Sequence, residues 1–357
     1  MKYNITVQQT AHSSLAEVDF DNLPFGKVFT DHMFVADYED GEWKDARIVP
    51  FAPFQMHPAA MVLHYGQAVF EGMKAFKNKD GEPIFFRPEE HAKRINASAN
   101  RMCMPSFPED LFEEAIHQLV DLDQDWIPKG KDSALYMRPF MIATDEFIGV
   151  RPSQKYRFII FCCPVGAYYA KPVKLYVEQK YVRAVAGGVG EAKAAGNYGA
   201  ALRPALEAQQ KGYDQVMWTE APDFKKIQEI GTMNIFFVLD GKVVTPKTSG
   251  AILKGITRKS IIEILRSKNI EVEERDITID ELVEAHKNGS LQEAFGAGTA
   301  AVVSQVELIA YGDHEMQLNV ANAKISSEVK ATIQGLRYGE IEDTFGWIER
   351  VRSLEMA

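Results

Sequence analysis

The sequence predicts a mixed α/β (α+β) fold built from two domains. Three observations predict it: Asp-Gly turns between β-prone segments near the N-terminus, apolar strand-like runs in the middle of the chain, and helices interspersed with strands in the second half. Hairpins beside separate helices favour α+β or mixed α/β layers over a doubly wound parallel sheet. With 357 residues, 46% of them apolar, the chain is long enough for two domains.

The first half of the chain carries hairpin, helix and strand signals. Asp-Gly pairs at 40–41 and 80–81 stand between β-prone segments, and such a pair is a strong signal for a hairpin turn. The runs of apolar residues that follow lack a clean alternation, so we expect strands that are covered on both faces. The other expected elements of this half are, in order, helices at 88–104 and 111–127 and strands at 134–144 and 156–169.

The second half follows a turn-like Lys-Pro pair at 171–172. We therefore expect a smaller N-terminal α/β domain at 1–165, a linker at 166–178 and a larger C-terminal α/β domain at 179–357. The elements expected in this half are helices at 198–211, 257–267 and 280–288, and strands at 215–220, 226–231, 234–246 and 299–311.

Charge and cysteine content narrow the class of partner. The net charge of -10 and the pI near 5.4 argue against a nucleic-acid or anionic-membrane surface, so a small-molecule partner fits better. Three cysteines, two of them adjacent, give neither a disulfide framework nor a metal site. No apolar run is long enough to span a membrane, and the N-terminus lacks a signal-peptide pattern. We expect a cytoplasmic protein that is neither exported nor membrane-spanning.

One lysine stands in a run of small residues, GGVGEAKAAGNYG (Gly187 to Gly199). Glycines let the backbone approach a ligand closely, and a poorly solvated lysine amine can attack a carbonyl carbon. A surface lysine in a flexible glycine loop explains the run about equally well. A dinucleotide loop is weakly supported because the G-x-G-x-x-G spacing is absent, and P-loop, hydrolase-elbow and zincin motifs are missing.

Two further turns suit a phosphate group. LKGITR (Leu253 to Arg258) leads into an expected helix, where N–H groups and the helix dipole favour an anion. FGAGTAAVVS (Phe295 to Ser304) offers a second anion-binding turn. Either turn alone is more simply a structural cap. Together with Lys193 they suggest a phosphorylated, aldehyde-bearing cofactor.

The chain resembles the branched-chain aminotransferases of the fold-type IV pyridoxal-phosphate enzymes, from about Phe51 to the C-terminal region. The motifs that carry the resemblance are HYGQAVFEGMKAF, FRPEEHAKRI, LYMRP, CCPVGAYY, GGVGEAKAAGNYG, EIGTMNIFFV, LKGITRKS and FGAGTAAVVS. The resemblance implies a two-domain enzyme, at least homodimeric, with pyridoxal 5′-phosphate at the domain interface. Mammalian members have a redox-sensitive C-x-x-C that is Ala301 and Ser304 here, which excludes thiol regulation at that place.

The resemblance also assigns the residues that hold the cofactor. Lys193 would carry it as a Schiff base and move the substrate proton. The remaining assignments are Arg94, the backbone N–H groups of Ile256 and Thr257 and the Thr299 side chain for the phosphate, Glu229 for the pyridine nitrogen, Tyr198 near the phenolic oxygen, and Thr232 beside the cofactor. A carboxylate beside the pyridine nitrogen keeps it protonated and the ring electron-poor.

The substrate pocket implied by the resemblance is apolar and aromatic. Its walls would be Tyr65, Phe70, Tyr136, Tyr168 and Thr232, with Val150 on a loop that reaches the neighbouring subunit. The α-carboxylate would meet the Thr299-Ala300 turn and the Tyr136 hydroxyl. Arg138, on the same strand face as Tyr136, would bind the second carboxylate of glutamate, although a structural arginine explains it as well.

The function expected from these residues is reversible transfer of the amino group of L-leucine, L-isoleucine or L-valine to 2-oxoglutarate, giving the branched 2-oxo acid and L-glutamate. Two alternatives stay open within the same fold type: a D-amino-acid aminotransferase and an aminodeoxychorismate lyase. From another class, a non-catalytic protein that binds phosphorylated metabolites would share the phosphate turns.

Overall fold

The computed structural model describes residues 4–130, 132–166 and 171–353. Contacts between Cα atoms divide them into two compact units. The first contains 4–166 without 131, Ala192–Ala195 and 334–353, and the second contains 171–191 and 196–333. The segment 334–353 thus groups with the N-terminal residues, whereas the sequence-based boundaries assign it to the C-terminal domain. Those boundaries stay a prediction.

The secondary structure of the described residues runs as follows. The strands are β1 (Thr6–Val7), β2 (His32–Glu39), β3 (Glu42–Pro50), β4 (Ala68–Phe70), β5 (Met73–Lys77), β6 (Pro83–Phe86), β7 (Ala134–Ala143), β8 (Tyr156–Val165), β9 (Val173–Val177), β10 (Gln215–Thr219), β11 (Ile227–Ile230), β12 (Met233–Leu239), β13 (Lys242–Pro246), β14 (Val272–Arg275), β15 (Leu291–Gly298), β16 (Val302–Tyr311), β17 (His314–Gln317) and β18 (Ile348–Arg350). The helices are α1 (Met61–Tyr65), α2 (Pro88–Arg101), α3 (Glu109–Leu122), α4 (Ala195–Ala200), α5 (Leu202–Gln210), α6 (Ile256–Ser267), α7 (Ile279–Asn288) and α8 (Ile325–Tyr338). Short 3₁₀ turns occupy Leu15–Glu17, Gln124–Trp126 and Val320–Asn322.

The first unit is built on one largely antiparallel sheet with the strand order β1-β3-β2-β8-β7-β5-β6-β18, and β4 pairs with β7. The β2–β3 turn confirms the hairpin predicted at 40–41. Asp40 and Gly41 both have positive φ, 56° and 88°, which a two-residue turn of this type requires. β18 joins the sheet by pairing with β6, and this pairing ties the C-terminal segment to the first unit.

One face of this sheet carries the core of the first unit. The helices α2 and α3 pack against each other, and α3 also packs on β2. Leu135, Met137 and Met141 of β7 are fully buried in this core, whereas the alternate residues of β7 point to the other face. That other face carries Tyr136 and Arg138, so the alternation of the strand selects which side chains are available for chemistry.

The second unit contains a closed ring of strands. In the part of the chain that the structure describes, β11, β10, β9, β16, β15 and β12 pair in succession, and β12 pairs back with β11. The strands β13, β14 and β17 extend the sheet outside the ring. The helices α6 and α7 pack on β15, and buried side chains such as Leu282 on α7 and Phe237 on β12 belong to one apolar core.

The prediction of one continuous helix at 198–211 is wrong. The structure has two helices, α4 and α5, with the break at Ala201. Pro204 lies in the first turn of α5, has no N–H group to donate to Ala200, and its ring crowds that carbonyl. The chain therefore restarts as a new helix rather than continuing from α4.

The mixed α/β class predicted from the sequence is confirmed, because hairpins, mixed sheets and separate helices occur together in both units. Within the described ranges, no helix is both long enough and apolar enough to cross a membrane. The same ranges contain no group of three or more His, Cys, Asp or Glu side chains suited to holding a metal ion.

Candidate active site

Lys193 belongs to the first unit, and its backbone is fixed by hydrogen bonds. The Lys193 N–H donates to Oγ of Ser98 on α2 over 2.9 Å, and the Phe70 N–H donates to the Lys193 carbonyl over 3.1 Å. The flanking Ala192 and Ala194 are buried, and Ala194 forms a β-bridge with Val69. Lys193 itself is half-buried. The lysine is therefore held at the end of β4, which disfavours the alternative of a flexible surface loop.

The side chain of Phe70 connects Lys193 with the other candidate residues of the first unit. Nζ of Lys193 lies 4.7 Å from the centroid of the Phe70 ring, and the guanidinium carbon of Arg138 lies 4.6 Å from the same centroid. Arg138 donates from Nη2 to the hydroxyl of Tyr136 over 2.9 Å. The structure thus brings Lys193, Phe70, Tyr136 and Arg138 together.

Gly72 makes room for this arrangement. A Cβ atom at Gly72 would lie 2.1 Å from the hydroxyl oxygen of Tyr136, far inside contact distance. Any larger residue would displace that hydroxyl and with it the donor contact from Arg138. Steric exclusion by Tyr136 therefore explains why the FEGMKAF motif has a glycine at this position. Phe25, which sequence reasoning missed, packs edge-on against Tyr136 with 5.2 Å between ring centroids.

Arg94 on α2 is held by a buried carboxylate. Its Nε and Nη2 donate to the two oxygens of Glu71 over 2.7 and 2.8 Å, and His91 Nδ1 lies 2.8 Å from Oε2 of Glu71. Glu71 is fully buried. Burial by itself raises the pKa of Glu71, but the charge and hydrogen bonds of Arg94 outweigh it and hold that pKa well below the ordinary value. We call Glu71, His91 and Arg94 the Glu71 cluster.

Sequence reasoning found Arg94 but missed its two partners. The available signal was the spacing of His91 and Arg94, which puts both on one face of a helix. Glu71 stands 23 residues away from Arg94 in the chain, so no local pattern joins them. The cluster fixes the direction of the Arg94 guanidinium, which is 12% exposed.

Glu229 lies on β11 in the second unit and is buried, with 3% of its surface exposed. Its Oε1 accepts hydrogen bonds from Asn234 Nδ2 over 3.1 Å and from the Leu253 N–H over 2.8 Å. Its Oε2 forms an ion pair with Nε of Arg183 over 2.9 Å. Glu229 is therefore not a strand glutamate that faces water. Arg183, absent from the sequence-based site, also donates to the carbonyls of Gly190 and Ala251.

The two predicted phosphate turns both lie in the second unit. Ile256 and Thr257 form the first turn of α6, where backbone N–H groups have no acceptor within the helix. A Cβ atom at Gly255 would lie 2.0 Å from Oδ1 of Asn234, so only glycine lets α6 begin here. Thr299 and Ala300 form the turn between β15 and β16.

The remaining predicted residues are placed as follows. Tyr198 lies on α4 and is half-buried, and Thr232 lies in the tight turn between β11 and β12. Tyr65 ends α1 and is 39% exposed, and Val150 lies on a loop and is 91% exposed. The structure does not bring Tyr65 or Val150 against Phe70, Tyr136 and Arg138 within the described ranges. Tyr168 lies outside the described residues.

The groups present suit a phosphorylated aldehyde cofactor. The first unit supplies a positioned amine in Lys193 and a positioned cation in Arg94. The second unit supplies the buried carboxylate of Glu229 and the start of α6 at Gly255. The backbone of Gly255 lies so close to Asn234 that no Cβ atom fits between them. Amine, cation, carboxylate and helix amides are the donor and acceptor types that such a cofactor needs.

Comparisons with known proteins agree with this set of groups. The family model described as amino-transferase class IV matches residues 68–309. Branched-chain-amino-acid aminotransferase 2 of Bacillus subtilis is 46% identical over 358 residues, covering 99% of this chain and 98% of that protein. The crystal structure of the Escherichia coli branched-chain amino acid aminotransferase is 28% identical with a TM-score of 0.75, covering 90% of this chain and 99% of that one. A T.th. branched-chain amino acid aminotransferase complexed with N-(5′-phosphopyridoxyl)-L-glutamate is 25% identical with a TM-score of 0.73, covering 89% and 98%.

Proposed function

Because this chain belongs to the class IV aminotransferase family and is a transaminase of the branched-chain-amino-acid type, we propose a specific reaction for it. It transfers the amino group of L-leucine, L-isoleucine or L-valine to 2-oxoglutarate, with pyridoxal 5′-phosphate bound at Lys193. The observation that carries the proposal is the position of the Phe70 ring, which contacts the amine of Lys193 and the guanidinium of Arg138. The amine proposed as the nucleophile and the guanidinium proposed to bind a carboxylate thus contact the same aromatic ring.

Lys193 has two tasks in this proposal. Its Nζ would hold the cofactor through the aldehyde carbon, and as a free amine Nζ would take the proton from the substrate Cα. When bound, pyridoxal phosphate supplies an electron-poor ring that accepts the electrons released at the substrate Cα. The hydrogen bonds of the Lys193 backbone to Ser98 and Phe70 fix the point from which this side chain extends.

Glu229 would bind the pyridine nitrogen of the cofactor and favour its protonated form. Its carboxylate keeps its charge because Arg183 pairs with Oε2 and the Leu253 N–H donates to Oε1. A neutral glutamine at this position lacks the charge that favours a protonated ring, so we expect Glu229→Gln to lower kcat about a hundredfold or more.

Arg94, the first turn of α6 and Thr299 bind the phosphate. The Glu71 cluster supports this role because it fixes the Arg94 guanidinium before any ligand binds. The N–H groups of Ile256 and Thr257 add the partial positive charge of a helix start. Tyr198 would bind the phenolic oxygen of the cofactor through its hydroxyl group.

Phe70 and Tyr136 form the apolar wall that takes the aliphatic side chain of the substrate, and each buried methylene contributes about 0.8 kcal/mol. Arg138 binds the second carboxylate when glutamate or 2-oxoglutarate is the substrate, and the complex of the T.th. relative with phosphopyridoxyl-L-glutamate supports a glutamate half-reaction. The exposed Val150 and Tyr65 fit a homodimer in which a loop of one subunit completes the site of the other.

The test is the visible absorption spectrum of the purified protein before and after one substrate is added. The wild type should absorb as a lysine Schiff base, lose that band with L-leucine, and regain it with 2-oxoglutarate. D-alanine and aminodeoxychorismate should leave the band unchanged. A response to either of these two but not to L-leucine would overturn the substrate assignment in favour of the corresponding fold-type IV enzyme.

Lys193→Ala tests the residue itself. This variant should lose turnover and the Schiff-base band, while Lys174→Ala, on a lysine that is 48% exposed on β9, should keep both. Transaminase activity that survives in Lys193→Ala would refute the role of the lysine. A colourless wild-type protein that binds the cofactor phosphate without a Schiff base would instead indicate a non-catalytic binding protein.

A further inference from the structure

The side chain of Asn234, near the start of β12, connects two parts of the second unit to which the proposed reaction gives separate roles. Asn234 is 5% exposed, and the pairing of β11 with β12 sets it directly opposite Glu229. Its Nδ2 donates to Oε1 of Glu229 over 3.1 Å and to the carbonyl of Leu253 over 2.9 Å. One buried amide therefore holds both the carboxylate and the segment of chain that leads into α6.

The contacts of Asn234 are part of a closed hydrogen-bond network. The Leu253 N–H donates to the same Oε1 of Glu229 over 2.8 Å, so the carboxylate holds the N–H of Leu253 and the amide holds its carbonyl. The other oxygen of Glu229 pairs with Arg183 over 2.9 Å, which anchors the carboxylate itself. A buried network of this kind favours one arrangement, because moving one member leaves the polar group of another without its partner.

Gly255, two residues after Leu253, packs against the oxygen of the Asn234 amide. A Cβ atom at Gly255 would lie 2.0 Å from Oδ1 of Asn234. The backbone of Gly255 has φ -66° and ψ 132°, which any residue can adopt, so the contact with Asn234 and not backbone strain requires a glycine here. Ile256 and Thr257, the first residues of α6, follow directly. The amide thus fixes the point at which this helix begins.

We propose that Asn234 is a positioning residue for the phosphate group of the cofactor, an inference that rests on the function proposed above. Asn234 sets the start of α6 relative to Glu229, so the phosphate end and the pyridine-nitrogen end of the site form one hydrogen-bonded unit. In this role it acts through the backbone of Leu253 and Gly255. The N–H groups of a helix start bind a phosphate best when the fold holds them in place before the ligand arrives.

Two ligands separate this role from a general structural one. Pyridoxal 5′-phosphate and pyridoxal share the aldehyde and the ring, but only the first carries a phosphate. Without the Asn234 amide the Leu253 carbonyl loses a donor, and the segment before α6 loses one of its two links to Glu229. The affinity for pyridoxal 5′-phosphate should therefore fall more than the affinity for pyridoxal. A general loss of stability would lower both affinities alike.

The experiment measures the dissociation constants of both ligands on the cofactor-free, full-length chain, from the visible Schiff-base absorption. The readout is the dissociation constant of pyridoxal divided by that of pyridoxal 5′-phosphate, which we call the phosphate ratio. Asn234→Ala should lower the phosphate ratio at least about tenfold, the effect of weakening one charge-assisted hydrogen bond. Asn78→Ala is the matched control and should keep the wild-type ratio, because Asn78 also donates to a carboxylate, that of Glu82, over 2.9 Å.

Gly255→Ala tests the same contact from the other side. Its methyl group displaces Oδ1 of Asn234, so this variant should also lower the phosphate ratio at least about tenfold. In the double variant Asn234→Ala, Gly255→Ala the methyl group has room. The phosphate ratio of the double variant should therefore equal that of Asn234→Ala, because the two residues act through one contact.

An unchanged phosphate ratio in Asn234→Ala overturns the proposal, and where that variant fails to fold, an unchanged ratio in Gly255→Ala does so. A double variant in which the losses of the two single variants add also overturns it. A wild-type chain that forms no Schiff base with pyridoxal 5′-phosphate overturns the proposed function and this role of Asn234 together. The failure of the positioning role alone is thus distinguished by a wild type that binds pyridoxal 5′-phosphate normally.

Discussion

Replacing Glu71 by glutamine tests the Glu71 cluster without a large change in shape. The carboxylate lies fully buried between Arg94 and His91, and it accepts two hydrogen bonds from the arginine. Glutamine keeps one acceptor oxygen but brings an NH₂ group against the guanidinium or the imidazole. The variant therefore leaves a cation that is only 12% exposed without its anionic partner.

The expected loss is large because Glu71 is fully buried and the Arg94 side chain is only 12% exposed. Removing one partner of a buried ion pair costs about 3–5 kcal/mol, whereas an exposed pair is worth at most about 1 kcal/mol. The pKa of Glu71 is lowered in the folded state, so its contribution to stability is complete above the ordinary value of 4.5 and is lost as the pH falls below it. The difference between wild type and variant should therefore be constant at neutral pH and shrink only under acid conditions.

Urea unfolding followed by circular dichroism and tryptophan fluorescence measures the difference. Glu39→Gln is the matched control, because Glu39 is 41% exposed and pairs with Lys155 over 3.1 Å. The double variant Glu71→Gln, Arg94→Met should regain part of the lost stability, since it removes the unpaired charge. Equal losses in Glu71→Gln and Glu39→Gln, or a double variant less stable than the single one, would refute the reasoning.

Three further predictions rest on separate parts of the molecule. Glu293→Ala should lower the free energy of unfolding by about 2 kcal/mol, measured with urea, because its buried carboxylate accepts three backbone N–H groups at the start of α8. The native protein should take up one equivalent of a thiol reagent, at the exposed Cys103, and further labelling before unfolding would contradict this. Burial raises the pKa of Cys163 to about 11 and that of Cys162 well above its ordinary value, so both thiols should react only after unfolding. Burial lowers the pKa of Lys74 from 10.5 to about 7. Between these pH values, the free energy of unfolding of the wild type relative to Lys74→Met should rise by about 1.4 kcal/mol per pH unit. Equal pH profiles of the two proteins would contradict this.

Local chemistry explains which parts of the fold the sequence could predict. The hairpin at 40–41 depends on two positive φ angles that Asp and Gly tolerate, so a dipeptide suffices to predict it. The break between α4 and α5 depends equally on one residue, Pro204, which the predicted continuous helix at 198–211 did not take into account. The closed ring of strands needs the β11–β12 pairing, which no periodicity within one strand reveals.

In the candidate site, too, local sequence patterns could predict some residues, whereas contacts between distant residues could not be predicted. Lys193 was predicted from its small neighbours, yet its sequence context left a flexible loop equally open until the bonds to Ser98 and Phe70 fixed it. Glu71 and Arg183 escaped prediction because each acts through a partner distant in the chain, Arg94 and Glu229 respectively. Contacts of this kind depend on the tertiary fold rather than on local residue patterns.

The closed ring of strands in the second unit has a consequence for hydrogen exchange. In the described residues each of its six strands is bonded on both sides, so none can open by peeling from an edge. Backbone amides of β11 and β12 should exchange with solvent deuterium only through opening of the whole ring, at rates close to those of global unfolding. Glu229, carried by β11, then keeps its position through every smaller fluctuation of the molecule.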